Sequence, residues 1–307
     1  MKTRFAAAAF AALCLPAYAQ APNQPPSSDL SKAQTLKLSP HVWYINGNPN
    51  IAIIVGTTAT LVVDAGMGPK NGAYIAAEAK RLSPAGNTLY LTTTHYHPEH
   101  MSGDSGFPAG AVEIRPRAQD EEMNQNGAQM IEAFRARSDL NRSLLEGARV
   151  KAADVVFDGE MHTVDLGGGV AANILWYGAA HTVGDALVWA DPDGVLVTGD
   201  VVQNKTGSNV ICPTCTPQKW LEVLDKMEQL NANVVLPDHS PPGDVFLVRQ
   251  ETNFMRDLVK LIRGAKAQGV KVEDAKRTIA EEMQKKYPDW NAMGGIPVAV
   301  EKGYAGG

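Results

Sequence analysis

Cysteine is scarce in this chain, three in 307 residues, and one of them, Cys14, lies in an N-terminal apolar stretch. The other two, Cys212 and Cys215, leave room for a single intrachain disulfide. That apolar stretch, residues 5–15, falls short of the roughly 20 residues that span a bilayer, which argues against a permanent membrane anchor. Positive charge is in deficit, with 28 Lys and Arg against 33 Asp and Glu and a net charge of −5. No basic cluster is dense enough to track a phosphate backbone, which argues against a nucleic-acid partner and leaves a small molecule as the expected substrate. What remains, 44% hydrophobic and 20% charged, is the composition of a globular chain long enough for one sizeable core.

The N-terminus has the three parts of a secretory signal. Lys2 and Arg4 precede residues 5–15, and Ala17-Tyr18-Ala19 forms an A-x-A cleavage site. Cleavage there predicts a periplasmic or secreted protein with 26 basic and 33 acidic residues. Leu13, before Cys14, is too large for a lipoprotein signal. Residues 20–35, rich in Pro, Gln and Ser, predict a disordered lead-in. The domain then covers residues 36–307, and the sequence leaves its oligomeric state open.

The chemistry concentrates in His95-Tyr96-His97-Pro98-Glu99-His100, three imidazoles and a carboxylate in six residues at the end of the β-branched stretch 87–94. Imidazole suits zinc and its neighbours. Further ligand types stand at the ends of later strand-like segments: His181, Asp200 and His239.

In that order, His-x-His-x-acid-His, then His, then Asp, then His resembles the metallo-β-lactamase superfamily over about residues 41–243. The stretch 60–66, with Asp64 at a strand end, is similar to that superfamily's strand ending in Asp-x-Gly. The resemblance implies an α/β fold, an αββα sandwich with the metal site along one edge of the two sheets. It implies that His95, His97 and His181 hold one metal, that His100, His239 and the carboxylate of Glu99 hold another, and that Asp200 bridges them. Glu99 departs from the pattern, where Asp is usual; its extra methylene moves the carboxylate by about 1.5 Å. That leaves three roles open for it: direct ligand, ligand through a water, or proton shuttle.

Turn signals and periodicity fill in the fold. Residues 51–55 and 59–64 predict a hairpin; 71–82 a helix; 88–94, 111–114, 155–157, 170–177, 186–189 and 195–198 strands, the last two joined at Pro192-Asp193-Gly194. Thr216 and Pro217 start a helix to Leu230 that turns Leu221, Leu224, Met227 and Leu230 to the core. Helices at 248–263, stopped by Gly264, and 272–286 form a C-terminal extension. Residues 116–150, with Met123, Met130, Ile131 and Phe134, read as helical packing against the outer sheet, with a lid over the site as the alternative.

Cys212-Pro213-Thr214-Cys215 in an exported chain favours a structural disulfide over a redox pair. His41 and His162 read as structural or surface residues. Trp176 and Tyr177 are strand residues that fit a core as well as a substrate pocket, and Asn204 and Lys205 could meet a substrate carbonyl or carboxylate. Asp64 and Asp185 are expected acceptors for ligand imidazole N–H groups.

The implied chemistry is hydrolysis, with zinc lowering the pKa of a bound water towards about 7 and polarising the electrophile. Two zinc ions are expected, with iron or manganese as other fits. Asp200 and Glu99 are the catalytic candidates, orienting the hydroxide and relaying its proton to the leaving group. An Asp at position 200 resembles the lactonase, thioesterase and sulfatase branches, so a lactone or other carboxylic ester is the expected substrate. A β-lactam, or a redox centre holding iron in the same fold, are the alternatives.

Overall fold

The computed structural model describes residues 28–306 apart from 208 and 211. The signal-peptide expectation lies outside the described residues. In chain order the elements are β1 (Gln34–Lys37), β2 (Val42–Asn46), β3 (Ile51–Val55), β4 (Ala59–Val63), α1 (Gly68–Leu82), β5 (Thr88–Thr92), α2 (Pro98–Met101), β6 (Val112–Pro116), α3 (Arg117–Arg135) and α4 (Asp139–Leu144). There follow β7 (Val155–Phe157), β8 (Met161–Gly167), β9 (Val170–Leu175), β10 (Leu187–Asp191), β11 (Val195–Gly199), α5 (Pro217–Gln229), β12 (Val234–Pro237), α6 (Phe246–Ala267), α7 (Val272–Lys286) and α8 (Ile296–Ala305).

Strands β1 to β7 form one sheet in sequence order, and β12-β11-β10-β9-β8 form the second. The reason the sheets stack is visible in β3 and β4, every residue of which is buried. Side chains of a strand alternate between its faces, so a strand without polar residues must be covered on both. Ala52 and Ile54 turn inward to meet Ile174, Val188 and Val197 of the second sheet, while Ile51, Ile53 and Val55 turn outward with Ile75, Ala76 and Ala79 of α1. On the far side, Leu175, Leu187, Leu196 and Val235 meet α5 to α8. Two sheets between helical layers are the αββα sandwich.

Helix α5 shows how the outer layer is built. Thr216 accepts a hydrogen bond from the Lys219 N–H and Pro217 occupies the first turn, as a helix start requires. Trp220, Val223, Leu224 and Met227 are buried on one face, each contributing about 1.5–3 kcal/mol of transfer free energy. Leu221 and Leu230 lie at its half-buried margin. The C-terminal helices join the same cluster as α5.

Three expectations need correction. In the described part of the lead-in, residues 28–35, structure replaces the expected disorder: Leu30 is fully buried and β1 pairs with β2. Helix α6 does not stop at Gly264 but continues to Ala267; open space surrounds that glycine, and the stop comes at Gly269, with φ +69°. Residues 116–150 are helical, and although α3 touches β6 and β7 its apolar side chains are not spent on the outer sheet. Met123 and Ile131 of α3 pack on Tyr96 and Met101, beside the His cluster itself.

Candidate metal centre

The site forms where β4 and β5, parallel in one sheet, and β11 and β12, parallel in the other, reach their C-terminal ends. Strand β5 delivers Thr93, Thr94 and His95; His97 and Pro98 start α2, which presents Glu99 and His100. His181 sits on the β9–β10 connection, Asp200 directly after β11, and Asp238 and His239 after β12. The Ala186 N–H donates to the Thr94 carbonyl at 2.7 Å and ties the sheets together at this edge. Gly199 takes φ +56°, and a Cβ there would come 2.8 Å from the Thr94 Cβ, so only glycine lets β11 place Asp200 this close to β5.

Ligand-type atoms converge in three groups, each with its candidate atoms within 4.8 Å of one another. His95, His97, His181 and Asp200 form one and Glu99, His100 and His239 a second; the third, Asp64, His100 and Asp238, lies behind His100 and is joined by hydrogen bonds of its own. His95 Nε2 lies 2.9 Å from His97 Nδ1, His181 Nε2 lies 3.5 Å from His97 Nδ1, and His181 Nε2 lies 3.5 Å from Asp200 Oδ2. A tetrahedral ion bonded at about 2.0–2.1 Å holds its ligands about 3.3 Å apart, and these separations bracket that value. Asp200 turns its other oxygen, Oδ1, to His239 Nε2 at 3.2 Å, so it faces both of the first two groups.

His100 Nε2 and Glu99 Oε2 are buried without a hydrogen-bond partner among the described residues. Buried polar atoms left open at one point fit a divalent cation. The extra methylene of Glu99 has not carried its carboxylate out of reach of His100 and His239.

Electrostatics keep the imidazoles ready to ligate. Burial, then repulsion from His100, His97 and His181, holds His95 far below the usual histidine pKa. Burial followed by His181 and His100 holds His97 at about 2. Burial pushes the Asp200 carboxyl up, but His239, His181, His100 and His97 together outweigh it and hold it at about 2. Burial raises Glu99. His100 goes the other way: burial disfavours its charge, yet Asp64 and Asp238 overcome that and raise its pKa.

A layer of hydrogen bonds orients the ligands. Asp64, at φ +73°, accepts from Thr94 N at 2.6 Å and Thr94 Oγ1 at 3.0 Å, and its Oδ2 lies 3.0 Å from His100 Nδ1. Asp238 Oδ2 lies 3.2 Å from the same nitrogen and accepts from Thr94 Oγ1. The Asn209 carbonyl lies 2.9 Å from His181 Nδ1, and Asn48 Oδ1 meets His239 Nδ1. Asp185 does not reach an imidazole, contrary to expectation; it accepts from Ala180 N and Thr182 N and shapes the loop on either side of His181.

Helix α3 braces that loop. Glu122 accepts from Val183 N and Gly184 N, and burial raises its pKa to about 7. Gln119 reaches the carbonyls of Thr93, Thr94 and Gly184. Of these supporting residues, Asp238 stands beside His239 at a strand end and carried a readable signal. Thr94, Gln119, Glu122, Asn48 and Asn209 carried none.

The remaining candidates lie outside the centre. His41 Nδ1 meets Asp193 Oδ1 at 2.8 Å, and the His162 ring lies 5.3 Å from Phe157. Trp176 donates its indole N–H to the Val183 carbonyl, and Tyr177 packs on the α5–α8 cluster. Lys205 pairs with Asp289 at 2.5 Å, and Cys212 and Cys215 form a disulfide.

The metallo-beta-lactamase superfamily model matches residues 44–239, and the chain belongs to that superfamily. With this histidine and aspartate arrangement, membership implies use of a divalent metal. No curated protein sequence matches the chain. Among solved structures, a metallo-beta-lactamase from Pontibacter korlensis is similar over 73% of this chain and 99% of its own, at 17% identity and a TM-score of 0.57. One from Hirschia baltica is similar over 73% and 97%, at 18% identity and a TM-score of 0.55. The stereoselective inverting sec-alkylsulfatase Pisa1 from Pseudomonas sp. is similar over 89% of this chain and 50% of its own, at 16% identity and a TM-score of 0.67. At these identities the likeness is one of fold.

Proposed function

We propose that this chain is an exported, zinc-dependent hydrolase that opens a lactone or other carboxylic ester of a small molecule. The observation that carries the reading is the position of Asp200 between the two ligand groups, one oxygen towards each. That is the layout of two cation sites sharing a carboxylate. Zinc bound there supplies a nucleophile at neutral pH and polarises the carbonyl under attack.

The chain's own residues do the rest. His95, His97 and His181 would hold one ion, and Glu99, His100 and His239 the other. Asp200, ionised throughout the physiological range, would offer one oxygen to each site. Glu99 would serve as a ligand through Oε2, which has no hydrogen-bond partner among the described residues. Asp64, Asp238 and Thr94 keep His100 in one orientation. Export is supported by the residue 1–19 sequence and by the disulfide, which persists in oxidising compartments.

A sulfate ester is the second reading, favoured by the similarity to the alkylsulfatase over 89% of this chain. The test is a panel of lactones, aryl esters, alkyl sulfates and β-lactams assayed before and after chelation. Hydrolysis of a lactone or carboxylic ester that chelation abolishes and zinc restores is the expected result. Turnover of alkyl sulfates alone would install the second reading, and hydrolysis indifferent to chelation would overturn both.

A further inference from the structure

The turn between α3 and α4 carries Arg137, exposed beside the metal centre. Its guanidinium carbon lies 3.4 Å from the centroid of the Phe134 ring, and that ring lies 6.0 Å from the ring of His97. Phe134 is buried with Met67, Leu144 and Leu145, so the platform under the guanidinium is fixed. Stacking engages one face of a guanidinium and leaves its in-plane N–H donors free to fork onto an oxyanion.

The neighbouring cations are engaged. Arg135 pairs with Glu132 and Arg142 with Asp139. Lys205, the cation that sequence places near Asp200, is held by Asp289. Arg137 has no carboxylate partner among the described residues, although Arg117, Arg135 and Arg142 on the same helical segment each pair with one.

We propose that Arg137 reads an anionic group on the substrate, so that the esters taken by this centre carry a carboxylate or a sulfate. The inference rests on the hydrolase reading. A guanidinium on a fixed aromatic platform grips an oxyanion by paired N–H donors, whereas a neutral substrate gains nothing from it.

The experiment uses the full zinc-loaded chain, with Arg137→Gln and Arg137→Lys beside the wild type. An aryl ester bearing a terminal carboxylate is compared with its neutral methyl-capped twin, and a second arm compares a sulfated twin. Arg137→Gln is expected to lower the charged-to-neutral ratio of kcat/KM about tenfold or more, mostly through KM, with Arg137→Lys recovering part of it. A loss confined to one arm names carboxylate or sulfate as the group read. An unchanged ratio in both arms overturns the proposal. Calorimetric titration with glutarate and with hexyl sulfate gives a readout free of turnover. If no ester is cleaved the hydrolase reading fails, yet wild-type binding about tenfold tighter than Arg137→Gln still supports the anion site, and equal binding removes it.

Discussion

Asp64 shows how much a single residue does at this site. Its backbone is left-handed, and its two oxygens take the Thr94 N–H, the Thr94 hydroxyl and the His100 ring nitrogen. Replacing it with Ala strands these buried donors, each at a cost of about 1–3 kcal/mol, and puts a Cβ without polar compensation into a conformation that asparagine tolerates better. Asp64→Ala is therefore expected to weaken metal binding about 10- to 100-fold in competition with a chromophoric chelator, with Asp64→Asn losing less. Equal affinity in Asp64→Ala and the wild type would show that His100 needs no such support. At this scale the sequence was legible where the side chains are themselves of ligand type: His95, His97, Glu99, His100, His181, Asp200 and His239 come together at one edge of the sheets. It was silent on Asn209 and Asn48, because a carbonyl or a lone amide oxygen that meets an imidazole leaves no spacing to read.

Helix α3 acts at the scale of an element. It lies so close to the β9–β10 connection that a Cβ on Gly184 would fall 2.2 Å from the Gln119 Cα. Across that contact Glu122 accepts two backbone N–H groups beside His181, and Gln119 joins the same loop to the end of β5. Glu122→Ala is expected to destabilise the fold by about 1–3 kcal/mol in urea, since it leaves buried donors without a partner, and to loosen the ion held by His181; Glu122→Gln keeps an acceptor and loses less. A Glu122→Ala protein with wild-type stability would show that the loop stands without α3. The burial of this helix was legible in its apolar spacing, but not its target, because periodicity gives a face and not a neighbour. Strand β8 was not read from the sequence, because Val164 and Leu166 are its only buried residues and the apolar Met161 stands exposed, out of step with them. By contrast β3, β4 and α7 were legible from uninterrupted apolar runs and clean helical spacing.

For the whole molecule, stability depends on charges the fold has enclosed. Asp104 is buried near Glu113 and Arg115, with Lys151 beyond. Burial, reinforced by Glu113 against the opposing pull of Arg115, raises its pKa from 3.8 to about 7. A carboxyl raised in the folded state binds its proton more tightly there than when unfolded, so its contribution is complete below about pH 4 and is lost as pH rises through about 7. Thermal unfolding followed across that range is expected to show Tm falling with pH in the wild type and a flatter profile in Asp104→Asn. Parallel profiles would mean that Asp104 ionises freely in the folded protein.

The layered architecture brings the ends of four strands from two sheets to one edge, and the central claim is that this edge holds two cations sharing Asp200. Metal content per chain after zinc loading and gel filtration tests it most directly. About two zinc ions are expected for the wild type, falling to about one in His181→Ala and about one in His239→Ala. A wild type that retains no zinc, or variants that retain as much as the wild type, would contradict it.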